Sequence, residues 1–397
     1  MVNLNDIKHY KLKLRLIFIE SILTFGAMGF CMPIMTVFWN SIGMDQKLIG
    51  LSQMICTLAM LIFDIPMGYM ADRFNRKKMN LLGDFGIVIT FIIYMSAHNF
   101  VTVLVAETLC GIFLAMTNGV DNAFLKFYSD KIDESGELFR KNNAKLSIYQ
   151  GLSFAFAIII GMFISKYSIR ATIGAVAIPF IIGTILSLFI DDIGAKIEST
   201  EKGVIRKFIA NIKHILKDEE TRWLVFVWSI ADNITHAIIW VLTPLLILVG
   251  VPVYIVGIGW LLNYITPVIG AIIARKIMNI RFSHKVALPF ILVAIGTLPI
   301  IINANIFTVW LFALTGIASG FKKTFFMPAI QERVEDNYQT TIVSVVSTVA
   351  RIVYLPAVYL INYFGDVNPQ NALTANLIIF IPLAFIIYLH YNKRSVK

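Results

Sequence analysis

Charge is what this sequence has least of. Of its 397 residues only 15% are Asp, Glu, Lys or Arg, against roughly 25% in an ordinary soluble domain. With 58% hydrophobic residues and a mean hydropathy of +0.77, a soluble fold would have to hide an outsized apolar core. Cysteine is nearly absent too. Cys31, Cys56 and Cys110 each lie inside an apolar run without metal-ligand spacing, so they read as buried, inert thiols, and neither a disulfide framework nor a metal site is expected. No G-x-S-x-G elbow or phosphate loop occurs, and the six histidines and the glutamates are scattered. No enzyme signature and no cofactor follow from such a pattern.

Apolar length is what the chain has in excess. Twelve segments approach the roughly 20 residues that cross hydrocarbon as a helix: 15–39, 47–70, 79–97, 101–125, 145–166, 170–190, 223–249, 253–274, 285–303, 305–328, 341–364 and 371–391. Lys8, Lys11, Lys13 and Arg15 precede the first, with no small-residue cleavage site after it, so it reads as a retained span. Lys47, Lys166 and Arg170 fall on one side, and Lys322, Lys323 and Arg351 fall within spans; the rest of the 34 basic residues lie on the opposite side. That asymmetry places both termini in the cytoplasm. It also explains the net charge of +10 as a topology signal spread over seven short loops, not a nucleic-acid footprint.

The longest polar stretch, 191–222, divides the chain into bundles at 1–190 and 223–397. From Val204 its apolar residues are spaced as an amphipathic helix lying on the inner face. The expected architecture is all-α, with twelve transmembrane helices in two six-helix bundles.

Between the second and third segments runs Asp64-Ile65-Pro66-Met67-Gly68-Tyr69-Met70-Ala71-Asp72-Arg73-Phe74-Asn75-Arg76-Lys77-Lys78. Charge this dense between two membrane-length runs is a short loop at one membrane face, and Gly68 would let helices approach closely there. The stretch resembles the loop signature G-x-x-x-D-R-x-G-R-[RK] of the major facilitator superfamily of secondary transporters. Gly68, Asp72, Arg73, Arg76 and Lys77 match. Asn75 replaces the usual glycine, asparagine being the next best residue at a positive φ. A faded second copy, Pro267, Gly270, Arg275 and Lys276, follows the eighth segment, with Ala274 in place of the aspartate. The resemblance spans essentially the whole chain, and it implies a gating role for Asp64, Gly68, Asp72, Arg73, Arg76 and Lys77. The lead-in Asp64-x-Pro66-x-Gly68 resembles that of bacterial exporters of the family.

Ionisable groups inside spans are costly and mark function by default. Glu20 lies about 8 Å above Arg15 at 1.5 Å per helical residue, Glu107 about 9 Å from the outer end of its span, and Asp232 about 15 Å from Arg222, close to mid-membrane. These three are the candidates for proton coupling. Several drug-exporting members of the family carry an acid at a depth similar to that of Glu20. The family's helix-four arginine is replaced by Glu107, and the glycine-proline-glycine series of antiporters is missing, with Gly151 and Gly161 but no intervening proline. Trp228, Asp232, His236 and Trp240 recur every four residues with Asn233 beside them. With Asn118, Asn263, Arg351 and Tyr354 they make the candidate substrate cavity, suited to amphipathic or cationic solutes. Arg351 needs an acid or an anionic substrate, and Asp232 is the expected partner. Lys322 and Lys323 read as snorkelling to the cytoplasmic interface.

Three functions fit. The first is a proton-coupled exporter (antiporter) of drugs, antibiotics or other amphipathic small molecules, monomeric in a prokaryotic cell membrane and driven by the proton gradient. The alternative is a proton-coupled importer of a sugar, peptide or organic anion. The third is a receptor or lipid-handling scaffold, for which no extramembrane domain is evident.

Overall fold

A computed structural model describes residues 4–73, 75–193, 212–213, 217–334 and 339–394, without the side chains of residues 4, 65, 69, 72, 73, 339–341 and 394. The expected amphipathic linker helix therefore lies outside the described residues, as do the side chains of Asp72 and Arg73.

The described residues form helices and no strands, as all-α spans require when lipid offers the backbone no hydrogen bonds. The first unit comprises Met1–Phe38 and Ile55–Glu201, the second Trp39–Met54 and Lys202–Lys397. The sequence had divided the chain within 191–222 alone; in the structure Trp39–Met54 groups with the second unit, where Trp39 packs on Trp240 with ring centroids 5.4 Å apart. There too Gln46 donates to Asn362 Oδ1 at 2.6 Å and to the Trp240 carbonyl at 3.3 Å.

Helices α1 (Leu4–Cys31) and α2 (Met35–Ser41) form one span broken at Pro33, followed by α3 (Gln46–Arg73), α4 (Arg76–Ser96), α5 (Phe100–Thr117) and α6 (Val120–Asp130). Gly119, at φ +79°, turns the chain between α5 and α6, a conformation only glycine adopts freely. Helices α7 (Glu137–Ser165), α8 (Ile169–Ala175) and α9 (Ala177–Leu188) complete this half. Next come α10 (Glu219–His236), α11 (Leu242–Leu248), α12 (Gly257–Lys276), α13 (Phe282–Ile302), α14 (Ala313–Gln331), α15 (Gln339–Gly365) and α16 (Pro369–Arg394).

Eleven spans among the described residues are long and apolar enough to cross a membrane. The twelfth expected segment, 305–328, is a 3-10 turn at Thr308–Phe312 leading into α14. Lys322 and Lys323, with the glycine, serine and threonine around them, dilute its apolarity.

The two units repeat one pairing scheme. In the first, α1 packs on α7, and α4 on α5 and α9; in the second, α10 packs on α15, and α13 on α14 and α16. This is internal duplication read in contacts. Helices α12 and α14 meet through their backbones: a Cβ on Gly270 would lie 2.2 Å from the Ile317 carbonyl oxygen, and one on Gly320 2.1 Å from that of Pro267. Small residues at such crossings are how membrane helices gain close van der Waals contact. Ala274 is fully buried beside them, so the aspartate of the first loop motif would here be a buried charge.

Capping fixes where α10 begins. Asp218 accepts hydrogen bonds from the Thr221 amide at 2.8 Å and hydroxyl at 2.7 Å, which hold its carboxyl below the usual carboxylate range. A lowered native value means the cap is fully effective above about pH 4, the unfolded value, and is lost as pH falls through the native one. Asparagine caps without titrating. Asp218→Asn should therefore melt like the parent at neutral pH and lose less stability than the parent below about pH 4. Equal acid sensitivity of the two proteins would remove Asp218 as the cause.

Candidate functional site

Among the described residues each unit holds a centre of buried polar side chains. In the first, Asn80 is the hub, its amide reaching Glu20 Oε1 at 3.1 Å, Ser187 Oγ at 3.3 Å and Asp84 Oδ2 at 3.5 Å. On the other side of Glu20, Ser21 donates to Asp121 at 2.5 Å and receives the Gln150 amide at 2.8 Å. Glu20 and Asp84 are almost fully buried, and the carboxyl of Glu20 lies within hydrogen-bonding reach of those of Asp84 and Asp121. A carboxylate only accepts, so a hydrogen bond between two carboxyl groups requires a proton on one of them. The charges acting most strongly on each of the three are the other carboxyls. The arrangement can bind and release protons within a water-poor environment.

Helices α1, α4, α6, α7 and α9 all contribute to this centre. Sequence reasoning singles out Glu20 and neither Asp84 nor Asp121. The available signal was Asp84 five residues into an apolar run, one helical turn after Asn80.

Glu107 stands apart from that cluster. It is buried on α5 and within hydrogen-bonding reach of the Tyr94 hydroxyl and the Cys56 thiol. Cys56 in turn neighbours Cys110, and all three cysteines are buried and free.

The second centre is built on α10. From Val227 onward, Trp228, Asp232 and His236 are the open stripe of a helix otherwise buried among α13, α14, α15 and α16. Asp232 is ion-paired with Lys322 of α14. The lysine side chain is 3% exposed and the aspartate 33%, so the pair is sealed at its ammonium end and open at its carboxylate end. Lys322 Nζ also sits 5.3 Å from the centroid of the Trp228 ring, a cation–π contact strengthened by burial. Lys322 does not snorkel away, because Asp232 and Trp228 satisfy it at depth. It also takes the position beside Asp232 that the sequence had suggested for Arg351. Lys323 is exposed, close enough to Asp232 and Lys322 to interact with both charges.

The helix breaks after His236, and Trp240 lies in a 3-10 turn, Ile239–Val241. The expected four-residue stripe therefore stops short of Trp240, whose Nε1 donates to the Tyr354 hydroxyl at 3.1 Å. Tyr354 also faces His236, with ring centroids 5.3 Å apart. Asn233 is buried and donates to the Ala350 carbonyl at 3.0 Å, tying α10 to α15. Asn263 donates to Thr315 at 2.9 Å, tying α12 to α14. Arg351 is a partly exposed residue of α15, next to Ala350.

The loop motif reads differently in three dimensions. Asn75 has φ −178°, not a positive φ; it caps α4 by accepting the Lys78 amide and donates to Asp192 at 2.6 Å. Capping supplies a reason for asparagine that the missing-glycine argument did not. Lys77 donates to the Leu188 carbonyl at 2.6 Å and Lys13 to that of Phe189 at 2.7 Å, so two ammonium groups satisfy the end of α9. A Cβ on Gly68 would meet nothing within 4 Å among the described residues. The close approach of α3 comes earlier, where a Cβ on Gly111 would be 2.4 Å from the Cys56 carbonyl oxygen. Asn118 reaches Asp64 at 3.2 Å, so a residue expected in the cavity bonds one expected in the gate. Arg76 begins α4.

Among the described residues no cluster of His, Cys, Asp or Glu is arranged to hold a metal ion.

Comparison with known proteins fits this picture. A stretch of 125 residues is 34% identical to an uncharacterized transporter of Buchnera aphidicola subsp. Acyrthosiphon pisum, covering 32% of this chain and 30% of that protein. Another of 172 residues is 28% identical to an uncharacterized transporter of Buchnera aphidicola subsp. Schizaphis graminum, covering 43% and 40%. The chain thus matches less than half the length of these relatives. The fold is shared with the nucleoside transporter NupG (TM-score 0.75, 13% identity, 96% of this chain and 98% of that one). It is also shared with a bacterial homolog of the human lysosomal transporter Spinster (TM-score 0.75, 13%, 96% and 97%). The human organic anion transporter MFSD10 is similar as well (TM-score 0.64, 12%, 96% and 99%). A model of the Major Facilitator Superfamily matches residues 17–358, and the chain, with its many membrane-length helices, belongs to that superfamily.

Proposed function

We propose that this transporter moves amphipathic small molecules by alternating access, coupled to protons, and works as an exporter in a prokaryotic cell membrane. The observation that carries the reading is the chemical division of its two buried centres. The first unit's centre brings three carboxyl groups together that act chiefly on one another, the composition a proton site needs. The second has an ion pair, an open lysine and aromatic rings, the composition of a site for a molecule with a polar head and an apolar body. Glu20 with Asp84 and Asp121 binds the proton; Trp228, Asp232, His236, Lys323 and Tyr354 face the substrate. Glu107 is a second proton site, buried against hydroxyl and thiol donors. Asp64, Asp72, Arg73, Arg76 and Lys77 serve the cytoplasmic gate. The Asp64-x-Pro66-x-Gly68 lead-in supports export over import.

Uptake of a polar or anionic nutrient with protons is the competing reading, and the excess of lysine over acid around Asp232 favours it. Liposomes bearing the purified protein and an imposed pH gradient separate the two. Substrate-evoked proton movement opposite to solute flux is expected. Solute and protons moving together would establish import, and solute flux indifferent to the gradient would remove proton coupling.

A further inference from the structure

We propose that the second-unit site selects amphipathic organic anions, with Lys323 as the anchor for a carboxylate head. This rests on the reading of that site as the substrate site and specifies its ligand. The sequence alone pointed the other way, because an acid flanked by tryptophans suits a cation. The structure changes the charge balance. Lys322 already neutralises Asp232 and covers the Trp228 face, so neither the acid nor that ring is left to receive a cationic ligand. Lys323 is then the surplus charge: beside Asp232 and Lys322, it leaves the group of three with one net positive charge.

Exposure locates that surplus. Lys323 is exposed while its neighbour Lys322 is buried, and the open carboxylate edge of Asp232 and the exposed His236 ring lie on the facing helix. A lysine this far into a membrane helix, about 12 Å from Gln331 at 1.5 Å per residue, is costly against lipid. Its openness is therefore to an aqueous cavity, where an anion can reach it. The apolar part of the ligand is set by the rings alongside: His236 and Tyr354 pack together, and the Trp240 hydrogen bond holds Tyr354 in place. A bare inorganic anion would use Lys323 and leave those rings idle.

Binding to the detergent-solubilised, full-length protein tests this without any flux or gradient, by intrinsic tryptophan fluorescence and thermal shift. The probes are benzoate, benzamide and benzylamine, which share a ring and differ in charge, and inorganic phosphate. Benzoate is expected to bind, with benzamide and benzylamine at least tenfold weaker and phosphate weaker than benzoate. Lys323→Gln should weaken benzoate at least tenfold and leave the melting temperature of the unliganded protein near that of the parent; Lys323→Arg should restore binding. Equal binding of benzylamine, or a Lys323→Gln protein that melts normally and binds benzoate as the parent does, would overturn the proposal. Phosphate matching benzoate would overturn its amphipathic part. Absence of benzoate binding by the folded parent would overturn it as well. Transport indifferent to protons, with benzoate selectivity intact, would sink the proposed coupling alone.

Discussion

Lys322→Ala is expected to destabilise the second unit and to disable transport. Truncation removes the closest cation from Asp232; because the carboxylate is one-third open and Lys323 remains beside it, the loss falls below the roughly 3–5 kcal/mol of a fully buried pair broken on one side. It also strips the cation from the face of Trp228, worth about 2 kcal/mol or more when desolvated. The loss should appear as a large drop in thermal midpoint, with transport reduced at least a hundredfold. The control is the neutral double variant, Asp232→Asn with Lys322→Gln. It removes both charges and keeps hydrogen-bonding capacity, so it should recover most of the midpoint. If Lys322→Ala melts with the parent, the pair is not a structural element, whatever it does for transport.

Glu20→Gln is expected to abolish uphill transport while sparing exchange. The Asn80 amide that now reaches Glu20 Oε1 can reach the amide oxygen of glutamine, and the glutamine NH2 can donate to Asp84 as a protonated carboxyl would. The fold therefore has little reason to fail. What disappears is the capacity to gain and lose a proton. Accumulation driven by a pH gradient should fall about a hundredfold in reconstituted vesicles, and counterflow of labelled against unlabelled solute should persist. Unchanged accumulation would remove Glu20 from coupling. If Asp84→Asn has the effect and Glu20→Gln does not, the working proton belongs to the helix α4 side of the cluster.

The helical membrane architecture was legible in the sequence because hydrocarbon imposes length and polarity directly on the chain. Partners across helices were not, since nothing local encodes which helix faces which. Lys322 illustrates the difference. Distance from the helix ends suggested snorkelling, and only the packing of α14 against α10 reveals Asp232 as its partner. Asp84 shows the same limit, being one acid in an apolar run until Asn80 and Glu20 are placed beside it. Trp240 fell out of the α10 stripe for a local reason. The helix gives way to a 3-10 turn at Ile239–Val241, and a four-residue spacing has no meaning across that break. Asn75 was the converse: its sequence position was informative, but through helix capping instead of backbone handedness.

The contact between α12 and α14 has a mechanical consequence. Where Gly270 and Gly320 bring two main chains together, there are no rotamers to shuffle and no soft methyl layer to absorb a displacement. Two touching backbones leave no side-chain layer between them to re-pack. The pair should respond as a single stiff beam, so that a push felt at Lys322 or Lys323 on one helix reaches the other without damping.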